Sequence, residues 1–384
     1  MTCSRREFLA GISWFASAAV LGRTLPAMAQ AISATNHYLI VGSGGSSVAA
    51  VNLSTRRVIS IPIGFGAHGF AQHPLKPERV WAIEKWGRSA AEIDFKEGKV
   101  TQRLTSPPAT GYFGHGFFTT KGDTLFVVQT DLKTGLGHLI GYDGITYQPS
   151  QDYQVTPGAL HDCHLLPDNT FIVVSHGSTM LLGADGKQHY NPMVENASLV
   201  HFDPQQGKVL DKKYIGDEDQ ILGHFAVSQN GTMIALGIPR PDSDPTVQTN
   251  TPSTRGGALY YGRIDKPELR RIAVPDTVNT KLRGEMLSIA VNEAAHLTIV
   301  TNPESQTLLL IDIADGTYLG QMTAVANGIS YDPAFNEFIS SGAQLSLVDD
   351  HKKELLPLAV KTASGGDYSA PFTGAHSTII QMDI

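Results

Sequence analysis

A strand, a tight turn and a second strand recur seven times along this chain of 384 residues, and that repetition leaves few folds open. The copies open at Val48-Ala49-Ala50-Val51, Ala90-Ala91-Glu92-Ile93, His138-Leu139-Ile140-Gly141, Leu199-Val200-His201-Phe202, Ala258-Leu259-Tyr260-Tyr261, Leu308-Leu309-Leu310-Ile311 and Leu345-Ser346-Leu347-Val348. Each follows another apolar run, such as Tyr38-Leu39-Ile40-Val41, Val80-Trp81-Ala82-Ile83 or Phe171-Ile172-Val173-Val174. Their length and their β-branched and aromatic content mark them as strands. The roughly 350 residues shared by seven copies fall near the ~40 to 50 per four-stranded blade of a propeller. The chain therefore reads as all-β, a seven-bladed β-propeller.

An innermost strand should precede each pair. Six are found in order, at His68-Gly69-Phe70, His115-Gly116-Phe117, His161-Asp162-Cys163-His164, His224-Phe225-Ala226, Leu287-Ser288-Ile289 and Gly328-Ile329-Ser330. The first blade lacks one ahead of its pair. Gly374-Ala375-His376-Ser377-Thr378 repeats Gly66-Ala67-His68, so the C-terminal strand is expected to complete blade one and close the ring, removing open sheet edges.

Residues 1–29 read as an address. Arg5-Arg6 stands directly before Phe8-Leu9, an apolar stretch follows, and Ala27-Met28-Ala29 has the pattern of a cleavage site. This resembles a twin-arginine export signal, and the stretch is shorter than the ~20 residues a spanning helix needs. Residues 30–384 are then one propeller domain, exported to the periplasm, with no membrane span in the mature protein. Removing Cys3 with the signal leaves Cys163 alone, so no disulfide can form within the mature chain. The net charge is -7 and no dense Lys/Arg run occurs, which argues against nucleic acid as a partner. A monomer is expected.

Five histidines, His376, His68, His115, His161 and His224, stand at or just before the inner strands of blades one to five, beside the central channel. Imidazoles converging from separate rigid strands would form a preorganised site for a transition metal, iron or copper first. His224 lies about one residue nearer its turn than the others, and a one-residue shift reverses side-chain direction in a strand. Its alignment is the weakest of the five. Strict alternation puts Cys163 on the side of His161, where a thiolate could join a soft site; the commoner role of a lone Cys is a buried apolar residue. His73 and His164 read as packing or outer groups.

Lys85, Arg88, His176 and Glu285 should gather at the same face. Glu285 is an accessory candidate, as a ligand or a general base, against the commoner fate of a loop ion pair with Arg283. The long Pro-rich segment between Gly237 and Gly257 carries Arg240 and Arg255 at its shoulders, suited to a small anionic ligand. No Cys-x-x-Cys-His exists for haem c. Gly42-Ser43-Gly44-Gly45 is followed by a strand rather than a helix, which sets NAD aside.

The twin-arginine start, the repeated Gly-Ala-His and Gly-His-Gly-Phe segments, and Leu160-His161-Asp162-Cys163-His164-Leu165 together resemble a bacterial family of exported proteins of unknown function. That resemblance covers nearly the whole mature chain. It implies a propeller, often encoded beside imelysin-type iron-regulated periplasmic proteins and a di-haem oxidoreductase, and hence a part in periplasmic iron handling. It carries over no catalytic residue. Three functions stay open from sequence: a metal-binding protein of metal acquisition or redox handling; a lactonase-like hydrolase using His, Glu285 and an arginine; and a protein-binding module for periplasmic iron-uptake partners.

Overall fold

The computed structural model describes residues 37–182, 188–240 and 255–384; the twin-arginine segment 1–29 lies outside them. Seven antiparallel sheets of at least four strands follow one another along the chain, and the inner strands contact each other in a closed circle from blade one to blade seven and back. The protein is a seven-bladed β-propeller. Among the described residues the α-helix is a single turn, Asp276–Asn279, and no helix is long and apolar enough to cross a membrane.

Period two explains why the second and third strands are apolar on both sides. In Tyr38-Leu39-Ile40-Val41, Tyr38 and Ile40 pack with Val80, Ala82 and Ile93 of blade two, while Leu39 and Val41 pack with Ile339 and Leu345 of blade seven. Every blade is thus a layer between two others, and alternate residues of one strand stabilise different interfaces, at about 1.5 to 3 kcal/mol for each large side chain buried.

Ring closure follows the expectation. Ser377–Gln381 pairs antiparallel with His37–Ser43, Tyr38 opposite Ile380 and Ile40 opposite Thr378. The seam to blade seven adds polar contacts to that apolar packing: Ser330 Oγ lies 2.7 Å from Ser377 Oγ, and His37 Nδ1 lies 3.0 Å from the buried Asp332 carboxylate. Two elements go beyond the repeat. Lys361–Thr362 adds a fifth, outermost strand parallel to Arg57–Pro62, and a hairpin of Met180–Leu182 with Gln188–Tyr190 leaves blade four above the channel-side histidines. The inner strand of blade six starts at Ile289 rather than Leu287, because the Ser288 N–H donates to the Thr301 hydroxyl instead of a ladder carbonyl.

Candidate metal centre

Four of the five inner strands that carry a channel histidine break their ladder beside it, the strand after His376 being regular. The pairing slips between Ala67 and Gly69, between Tyr112 and Gly116, between Leu160 and Cys163, and between Leu222 and His224. An extra residue on one strand re-aims the side chain beside it. Four separate bulges therefore turn His68, His115, His161 and His224 off the packed faces and into the channel. For His224, the bulge at Gly223 supplies the residue by which its register lags, so the misalignment expected from its spacing does not arise.

The four are buried, and one ligand nitrogen from each lies within 4.8 Å of those of the other three. Bringing four nitrogens at that limit to the ~3.4 Å separation of a tetrahedral site takes an inward shift of roughly 0.9 Å per ring. His376 lies against the same group, with ring centroids 4.3 Å from His224, 4.6 Å from His68 and 5.1 Å from His115. The Nε2 atoms of His68, His115, His224 and His376 are all buried without a hydrogen-bond partner. Buried polar atoms are rarely left so.

Asp162 stands behind the rings. Its Oδ1 lies 3.1 Å from His115 Nδ1 and its Oδ2 3.4 Å from His224 Nδ1 and 3.5 Å from His164 Nε2, while the Cys163 N–H donates to Oδ1 at 2.8 Å. For His115 a carboxylate on Nδ1 fixes the ring so that Nε2 points inward, the outer support that metal-binding histidines have, whereas His224 Nδ1 is near Asp162 without a hydrogen bond. Burial alone would raise the Asp162 carboxyl; His115 and His164 beside it hold it well below the usual range. His161 is supported differently: its Nδ1 lies 3.0 Å from His176 Nε2, and its Nε2 3.2 Å from Lys85 Nζ.

Burial lowers the imidazoles. His224 falls to about 4, His176 to about 3, and His68, His161 and His376 lie well below 6.5, the Lys85 charge being the second cause for His68, His161 and His176. These rings are neutral near pH 7, and on His68, His224 and His376 the Nε2 is also without a hydrogen-bond partner, as an open ligand atom is. The unfolded chain takes up protons below pH 6.5 that the folded chain refuses, so stability is full above pH 6.5 and lost as pH falls toward the folded values. His224 alone accounts for a loss on the order of 3 kcal/mol by pH 4. Urea midpoints measured from pH 7.5 down to 4.5 should fall accordingly; a flat profile would mean that the rings are solvated.

The remaining sequence candidates lie elsewhere or play other parts. Because the bulge adds a residue between them, Leu160 and Cys163 share an apolar cluster with Phe117, Phe126 and Phe171, so strict alternation fails here and Cys163 does not share the side of His161. Burial pushes its thiol well up, which leaves it a packed apolar residue. Glu285 is half-buried and bears on Lys85 and Tyr190, while the Arg283 guanidinium donates to the Thr280 and Leu282 carbonyls. Arg255 pairs with Asp219 at 3.1 Å, and the Arg240 N–H donates to the Asp219 carbonyl. The segment 241–254 between these arginines lies outside the described residues. His73 serves its own turn, its Nδ1 accepting from the Leu75 N–H.

Blades six and seven bring no histidine to this group. A cavity of about 220 Å³ lies in the channel against the histidines, ringed by inner-strand residues of every blade, from Phe70, His115, His164 and His224 to Ser288, Ile329 and Thr378. The residues that composition and spacing did not single out are Asp162 and Lys85 in their actual roles. A carboxylate in the middle of an inner strand was the available signal for the first, since buried charges occur only where they are paired.

Residues 61–359 match the profile of a family described as a protein of unknown function, DUF1513. No curated protein matches the chain. Among solved structures it is similar to the hydrazine synthase of Kuenenia stuttgartiensis, at 10% identity over 83% of this chain and 91% of that one, with a TM-score of 0.58. At that identity the likeness is one of fold.

Proposed function

Since the chain belongs to DUF1513, a family of proteins of unknown function, the site has to speak for the activity, and we propose that this propeller binds a transition metal, iron or copper first, through its channel histidines. The observation that carries this reading is the convergence of four buried imidazoles, His68, His115, His161 and His224, whose ligand nitrogens lie within 4.8 Å of one another, with the Asp162 carboxylate 3.1 Å from His115 Nδ1. His376 is the fifth candidate, its ring packed on those of His68, His115 and His224 and its Nε2 buried without a partner. An all-imidazole donor set suits copper, iron, nickel or zinc rather than calcium or magnesium.

The arrangement supports exchange or redox handling more than a closed structural role. The channel cavity of about 220 Å³ that His115, His224 and His376 line would leave room beside the metal for a small exogenous ligand. The twin-arginine start supports export, so the metal would be handled in the periplasm. Elemental analysis of the protein purified after native export tests the proposal. One equivalent of iron or copper, restored by reconstitution after chelation, is the expected result; no stoichiometric metal and no uptake from solution would sink it.

A further inference from the structure

His161 differs from the other channel histidines in having both ring nitrogens engaged. Lys85 Nζ lies 3.2 Å from Nε2 and can only donate, so Nε2 accepts and Nδ1 carries the proton that goes to His176 Nε2, 3.0 Å away. That tautomer is also the one in which His161 would ligate a metal through Nε2, with His176 as its outer acceptor. The ring is thus in a ligating form, and an ammonium group sits on the ligating atom.

The chain goes to some length to put it there. Lys85 is followed by Trp86 at φ 67°, a left-handed conformation that a bulky residue adopts only under constraint, held by the Trp86 N–H donating to the Tyr112 carbonyl and the Tyr112 N–H donating to Gly87. Nζ lies 5.8 Å from the Trp86 ring and 5.7 Å from the Phe113 ring. Trp86 and Phe113 pack on each other, and Phe113 packs on His161 itself. Burial lowers the Lys85 amine from its ordinary value, with the Glu285 and Asp162 carboxylates acting in the opposite direction.

We infer that Lys85 is a latch on the metal site, withholding His161 while its ammonium caps Nε2 and releasing it as a further ligand when the ammonium moves off that atom. This rests on the proposed metal-binding reading and adds to it that the centre has two coordination states. With the latch closed His68, His115, His224 and His376 hold the metal; with it open His161 joins them. Lys85 is a positioning residue in this scheme, since it acts through His161.

Copper(II) alone serves as the probe, with nitrogen coordination counted by X-ray absorption and release followed with a chelator. In Lys85→Leu the imidazole count should rise by one relative to the native protein, and copper should leave about tenfold more slowly. Adding His161→Ala to Lys85→Leu should restore the native count. His161→Ala in the native background, which does not depend on the lysine variant folding, should change affinity by less than about threefold, whereas loss of a standing ligand costs more than the ~10 to 100-fold seen for outer partners. Equal counts with and without Lys85, or a large loss on His161→Ala alone, would overturn the latch and leave the metal centre intact. A native protein that takes up no metal would instead remove the reading on which the latch rests.

Discussion

Replacing His115 and His224 together with asparagine should abolish metal uptake while leaving the propeller folded. An asparagine amide reaches the place of Nδ1 and keeps an N–H toward Asp162, which otherwise would be a buried carboxylate stripped of two of its partners. What disappears is Nε2, the atom that in both rings is buried and without a partner. If losing an outer support costs ~10 to 100-fold in affinity, losing two ligating atoms should weaken binding by about a thousandfold or more. Because the deleted atoms make no hydrogen bond, the unfolding midpoint should move far less than the affinity. Chelator competition and urea unfolding on the same preparation check both halves, and undiminished uptake would show that the metal, if any, lies elsewhere.

Gly114→Ala is expected to be the most damaging single methyl group in the site. Gly114 sits at φ 95°, a conformation that costs an L-residue of order 1 to 3 kcal/mol. Its added Cβ would lie 2.8 Å from His68 Cγ and 2.9 Å from His68 Cβ, so the ring must be pushed aside. Overpacking of that kind adds about 1 to 3 kcal/mol. A total of roughly 2 to 6 kcal/mol, together with weakened metal binding through the displaced His68, separates this variant from an ordinary surface change. Gly69 meets the Gly114 carbonyl in the same way from blade two, so the two bulges are fitted to each other. Denaturant midpoints and metal affinity of Gly114→Ala test the account; a variant as stable as the native protein would refute the tight fit.

That fit also shows where sequence reasoning stops. The number of blades was legible because alternate residues of Tyr38-Leu39-Ile40-Val41 and its six counterparts face different neighbours, which writes an unbroken apolar run into the chain. Closure by the last strand was legible because Gly374-Ala375-His376 repeats Gly66-Ala67-His68. The bulges were not, since a bulge is a mismatch between two strands and neither strand shows it alone. Hence the direction of His224 and the apolar burial of Cys163 were decided by pairing, at Leu222 to His224 and Leu160 to Cys163. Lys85 was legible as a neighbour of the face and not as a partner of His161, 76 residues away, because that contact crosses from blade two to blade four.

The strand that seals the ring also delivers His376, which stands immediately before Ser377 and packs on rings from blades two, three and five. His376 is therefore made after the strands of blades two to seven, and a nascent chain with those blades complete still lacks one wall of the histidine group. Occupancy of the proposed centre would then mark molecules in which Ser377–Gln381 has paired with His37–Ser43.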